Sequence, residues 1–198
     1  LVITGQVHVP IWGSTILTPE VTSERAKVLI STELRNDSAQ ARVLNVSTTL
    51  LDGSGLNVGR DMKRLEIAAR STELLRQEVI VTNPQLWDID NPNLYFAQTE
   101  VRGEGQLLDS KSTRLGIRSL RNDAKTGFFL NGRNVKIKGV NLHHDAGLVG
   151  AAVPLGVWKR RLEVLKEAGV NAIRTGHKPA SKEFIELCDE MGFLVQQE

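Results

Sequence analysis

The sequence predicts an all-β immunoglobulin-like sandwich over residues 1–121 and an α/β segment over residues 122–198. Three observations carry this. About seven short segments in the first 120 residues read as strands, several alternating apolar and polar residues. Turn-forming clusters separate them. Beyond about residue 136 the apolar spacing changes to strand, helix, strand, helix, strand, the order of parallel strands joined by right-handed crossovers.

In the first part, strands are expected at 14–21, 27–35, 42–51, 63–69, 73–81, 94–101 and 106–115. Val28, Ile30, Thr32 and Leu34 can share one face, as can Leu44, Val46, Thr48 and Leu50. Asn36-Asp37-Ser38, Asp52-Gly53-Ser54-Gly55, Asn83-Pro84, Asn91-Pro92 and Gly103-Glu104-Gly105 supply turns. Trp12 and Trp87 are read as sandwich core, with sugar stacking the alternative. About seven strands in some 100 residues match an immunoglobulin-like sandwich. The single cysteine, Cys188, excludes an internal disulfide staple.

Residues 121–135 read as a hinge. In it, 128–130 and 135–137 form a hairpin around Asn131-Gly132. A buried strand is expected at 137–141. A helix follows at 155–168 with the stripe Trp158, Leu162, Leu165 and Ala168, stopped by Gly169. A strand at 172–174 leads to a helix capped by Ser181, with Phe184, Cys188 and Met191 inward and Gly192 at its end. The third strand is 193–195. Cys188 is read as core. No Gly-x-Gly-x-x-Gly follows the first of these strands, which argues against a dinucleotide site.

Composition narrows the function classes. Of 198 residues, 40% are hydrophobic, enough for a packed core, and 25 basic residues against 23 acidic give a net charge of +2. There is no basic block to indicate nucleic acid, and no apolar run long enough to cross a bilayer. Leu1 opens directly into strand-like sequence with no initiating Met or signal peptide, so the chain is expected to be an internal piece of a longer protein.

Chemistry concentrates at the strand ends. Asn141, His143, His144 and Asp145 follow the first parallel strand, Arg174 and His177 end the second, and Glu198 follows the third. Parallel strands put all of these on one rim, where α/β folds bind ligands. Arg174 needs a partner there, and a carboxylate is the natural one. The adjacent pair His143 and His144 lacks the spacing of a transition-metal site. No nucleophile elbow supports a Ser-His-Asp triad. The bland alternative is a set of loop polar groups and helix caps.

Several motifs resemble glycoside hydrolase family 2, the β-galactosidases, β-glucuronidases and β-mannosidases. H-V-P-I-W-G-S-T-I-L-T-P-E-V (8–21) looks like the entry to that family's immunoglobulin-like domain. P-Q-L-W-D-I-D-N-P-N-L-Y (84–95) is similar to one of its strands. R-L-G-I-R-S-L (114–120) and G-F-F-L-N-G-R-N-V-K-I-K-G-V-N-L-H-H-D (127–145) resemble the junction into its catalytic barrel. N-A-I-R-T-G-H-K-P (171–179) and L-C-D-E-M-G-F-L-V (187–195) match the second barrel strand and the helix and strand after it. The loop N-L-H-H-D-A-G-L-V-G-A-A is most like bacterial β-galactosidases of the Bacteroides type.

The resemblance implies a sandwich at 1–121 and the truncated start of a (β/α)8 barrel at 122–198. It implies a parent that is a retaining exo-glycosidase acting on terminal β-linked sugars, β-galactosides above all. Such enzymes need two carboxylates about 5 Å apart. The family's pair lies on later barrel strands, so no catalytic residue is expected here and the fragment itself is expected to be inactive. His143, Arg174 and His177, then His144 and Asp145, would line the sugar site. No metal ligand or cofactor is expected in this chain; some members use Mg²⁺, with ligands elsewhere. The partner is a β-linked oligosaccharide, with no nucleic acid or membrane. Gly176 and Lys178 depart from the family's usual Ser before the second-strand His and Tyr or Asn after it, and Gln196-Gln197-Glu198 departs from Asp-Glu-Ala. Lys178 bears on sugar preference. Three barrel strands cannot close, so bare edges are expected to promote self-association. A non-catalytic carbohydrate-binding or adhesion module, and a β-glucuronidase or β-mannosidase, are the competing readings.

Overall fold

A computed structural model describes residues 2–198 and divides into two compact units. The first comprises residues up to Gln85 together with Leu94–Ser119; the second comprises Leu86–Asn93 and Leu120–Glu198.

The first unit is two antiparallel sheets. One contains β1 (Val7–His8), β2 (Ser14–Val21), β3 (Arg25–Asn36) and β6 (Ser71–Thr82), with β3 paired to the other three. The other runs β5-β4-β7-β8, from β4 (Arg42–Leu51), β5 (Asn57–Ile67), β7 (Tyr95–Gly103) and β8 (Gln106–Leu115). Alternation places Leu34, Leu44, Val46, Ile67, Leu75 and Val101 in one buried cluster with Val7 and Val9. A polar link runs through the core. Thr48 donates to Gln77 Oε1 at 2.8 Å and shares a 2.9 Å bond with Thr99, and Gln77 Nε2 donates to the Asp61 carbonyl. Pro19 falls where the β2–β3 register shifts between Leu17 and Glu20, an irregularity that suits a residue without an N–H.

Two expectations for this unit change. β5 begins at Asn57 rather than 63, because this edge strand is largely exposed and carries no apolar alternation to announce it. Trp12 is not core: it is 85% exposed.

In the second unit, residues 121–135 are an ordered three-stranded sheet, not a hinge. It is formed by β9 (Leu120–Asp123), β10 (Gly127–Leu130) and β11 (Arg133–Asn134). Asn131 and Gly132 both have positive φ, 51° and 77°, as their two-residue turn requires, so the return strand starts at Arg133. Three parallel strands follow in the order β12-β13-β14: β12 (Gly139–Leu142), β13 (Ala172–Thr175) and β14 (Leu194–Gln197). They are linked by α1 (Leu155–Glu167) and α2 (Lys182–Met191). β12 starts at 139 because the Asn171 side chain takes the Lys138 N–H (2.8 Å) and the Lys136 carbonyl (3.0 Å) before regular pairing begins. It is half-exposed and not buried as expected. Ser181 caps α2 by accepting from Phe184 N–H, and Gly192 ends it at φ 71°.

One face of this sheet packs on the helices through Leu162, Ile173, Phe184, Leu187, Cys188 and Phe193, with Val140, Trp158, Leu165 and Val195 around them. Trp158 meets Phe184 edge-on at 4.9 Å, while Ala168, expected in the stripe, is exposed. Trp87 is fully buried, but in this unit and not in the sandwich. Its indole N–H donates to the Asp189 carbonyl (2.8 Å), and Asn131 Nδ2 donates to the Trp87 carbonyl (3.0 Å). Lys166 completes the attachment of the 86–93 segment, donating to the carbonyls of Ile89 (2.7 Å) and Met191 (2.9 Å).

Candidate functional site

The strand register decides which side chains meet. Asn141 on β12 is level with Arg174 on β13, and Arg174 with Gln196 on β14. These three therefore occupy the sheet face turned away from Ile173 and Val195, which pack against the helices. His143 and Glu198 lie two residues further along their chains and extend that face past the carboxyl ends of the strands.

The side chains join in one hydrogen-bonded chain. Arg174 donates through one guanidinium nitrogen to Asn141 Oδ1 (3.2 Å) and through the other to Glu198 Oε1 (2.7 Å). Glu198 Oε2 bonds His177 Nδ1 at 2.8 Å. Asn141 Nδ2 reaches His143 Nε2 at 3.3 Å. An amide nitrogen can only donate, so His143 Nε2 accepts, which places the proton of a neutral ring on Nδ1. The two imidazoles stand edge to face, 5.7 Å between centroids. Arg174 and Glu198 each remain about 40% exposed (39% and 41%), so the pair contributes little stability and its polar atoms remain open to a ligand. Gly176 makes this possible: a Cβ there would lie 2.8 Å from Asn141 Oδ1.

Of the five residues expected to line a sugar site, the structure brings His143, Arg174 and His177 together. His144 and Asp145 are not in the network. His144 borders a small cavity of about 30 Å³ on the helix side with Trp158, Thr175, Lys178 and Phe184. Asp145 offers its backbone carbonyl to Arg161 at 2.5 Å. Asn141 and Glu198 lay on the predicted rim without a sugar-binding role, yet each makes two bonds in the network, as Arg174 does. The need of Arg174 for a carboxylate was the signal pointing to Glu198. Among the described residues no cluster of three or more His, Cys, Asp and Glu side chains is arranged to hold a metal. Cys188 is fully buried, and burial pushes its thiol up to about 12.

Residues 8–118 match the family model for glycosyl hydrolases family 2, and residues 122–198 match that family's TIM barrel domain. The chain belongs to glycosyl hydrolase family 2. The β-galactosidase BoGH2A of Bacteroides ovatus is 40% identical over 195 residues, 98% of this chain but 23% of that protein. A family 2 structure from Bacteroides cellulosilyticus superposes with a TM-score of 0.95 at 33% identity, covering 98% of this chain and 27% of the other. Bacteroides uniformis β-glucuronidase 2, solved covalently bound to cyclophellitol-6-carboxylate aziridine, gives 0.89 at 30% identity, covering 97% and 24%. The chain thus spans about a quarter of the length of these family 2 relatives. Its fold is the family's immunoglobulin-like domain followed by the start of the TIM barrel.

Proposed function

We propose that this chain supplies a non-catalytic wall of the sugar site in a retaining exo-glycosidase acting on terminal β-galactosides. The observation that supports it most is the single network of Asn141, His143, Arg174, His177 and Glu198 at the carboxyl ends of three parallel strands. Such a network offers fixed donors and acceptors for sugar hydroxyls, and Arg174 and His177 hold the Glu198 carboxylate in one orientation. His144 and Asp145 frame the opening on the loop after β12. Glu198, held through both oxygens by Arg174 and His177, is assigned a positioning role. The pair of carboxylates that cleaves the glycoside would come from outside these residues.

The test is activity on a chromogenic β-galactoside. The protein expressed from its complete gene should turn it over, while residues 1–198 alone should not. Turnover by residues 1–198 that a point mutation in this chain abolishes would refute the assignment. A β-glucuronide is the second reading. Lys178, exposed beside His177, makes no ion pair among the described residues, and its ammonium suits a sugar carboxylate. A faster reaction with the β-glucuronide than with the β-galactoside, reversed by Lys178→Asn, would favour it.

A further inference from the structure

The first unit carries a second arrangement suited to sugar. Trp12 is 85% exposed, and an indole left in water forfeits the free energy of burying its large apolar surface. A floppy loop could explain such exposure, but this turn is held. Gly13 N–H donates to the Pro10 carbonyl at 3.0 Å, and Gly13 O accepts from Glu33 N–H at 2.7 Å. Lys111 Nζ donates to the carbonyls of both Pro10 (2.9 Å) and Ile11 (2.8 Å). A Cβ at Gly13 would lie 2.9 Å from the Pro10 ring, so the close turn depends on glycine.

The held indole borders a groove of about 370 Å³ with Thr4, His8, Pro10, Ile11 and Glu33. That volume falls in the range of small-molecule sites, about 300–1,000 Å³. Glu33 is half-buried, and its carboxylate has no hydrogen bond or ion pair among the described residues, nor has the Trp12 indole N–H or the Thr4 hydroxyl. An aromatic face beside a free carboxylate acceptor and two free donors matches a pyranose, with one C–H face to stack and hydroxyls around its edge.

We propose that the Trp12 groove binds one neutral β-linked pyranoside unit, stacked on the indole with its hydroxyls bonded to Glu33. The charge of Glu33 disfavours a uronic acid. The sugar class rests on membership of a glycosidase family; the site rests on residues of the first unit alone. Exposed Val2 and Ile11 also line the groove, and a protein surface would cover them as well, so the test separates the two occupants.

Residues 1–198 labelled with ¹⁵N are titrated with methyl β-D-galactopyranoside and with β-1,4-galactobiose, following the backbone amide resonances of Thr4 and Gly13, which line the groove. The expected result is a saturable millimolar shift, abolished by Trp12→Ala, partly kept by Trp12→Phe and weakened several-fold by Glu33→Gln. Arg174→Ala should leave it unchanged, which separates this groove from the strand-end network. Methyl β-D-galacturonate should bind more weakly than the neutral sugar. No shift up to about 50 mM sugar overturns the proposal. So does a shift that follows protein concentration instead, which would assign the Trp12 turn to contacts between copies. Loss of the shift in Arg174→Ala also overturns it, because the sugar would then be acting from the network.

Discussion

The two units use their sheets in opposite ways. The first encloses an apolar core between two antiparallel sheets, and its buried polar atoms Thr48, Gln77 and Thr99 bond one another inside that core. The second covers one face of a three-stranded parallel sheet with helices and gives the other face Asn141, Arg174 and Gln196. Burial is the purpose of the first sheet pair. In the second, the candidate chemistry lies where burial stops. Polar groups sealed in a core should matter for folding, and those on the open face for ligands.

Core truncation should give the largest effect. Leu34→Ala in the fully buried cluster should cost about 2–5 kcal/mol in denaturant unfolding. Gly192→Ala should come next, at about 2–3 kcal/mol, because it forces a side chain into φ 71° and its Cβ against the Ile89 carbonyl; loss of amide protection around Met191 would report it. Thr48→Val should cost about 1–3 kcal/mol by stranding Gln77 Oε1. Substitutions on the open face belong at the bottom of the scale: Arg174→Ala should change stability by about 1 kcal/mol or less. An Arg174→Ala cost equal to that of Leu34→Ala would erase the distinction.

The buried thiol sharpens the same contrast. Its ionisation lies at about 12 in the folded chain against 9.0 for the ordinary group. The unfolded chain releases the proton first as pH rises, so Cys188 should lower stability above about pH 9 and be neutral below it. At neutral pH, its modification by a thiol reagent should proceed at the rate of unfolding. A rapid reaction with folded protein would show that the helix-side core is open.

The sandwich was legible because alternation survives wherever a strand has one wet and one buried face, as β3 and β4 show. It was least legible at β5, an exposed edge strand with nothing to alternate. Both helices could be read from their stripes and from Ser181, Gly169 and Gly192. Trp12 was misread as buried, whereas Trp87 is buried as expected but in the second unit. Sequence marks an indole as costly to expose, but not whether Lys111 will hold its turn in the open or Asp189 will receive it in another unit. The strand-end rim was foreseeable from parallel order. Asn141 and Glu198 lay on that rim, and the charge of Arg174 called for a carboxylate; the bonds were not foreseeable, because Asn141 owes its room to the missing side chain at Gly176.

The central claim is that the Asn141–His143–Arg174–His177–Glu198 network serves a sugar site and not the fold. It is tested most directly by Glu198→Gln and Arg174→Ala in the protein expressed from its complete gene, measuring kcat/KM on a β-galactoside beside the midpoint of thermal unfolding. A fall of about 100-fold or more in kcat/KM, with a change in midpoint of no more than a few degrees, is the predicted result. Near-normal kcat/KM in both variants, or activity lost only in step with stability, would contradict it.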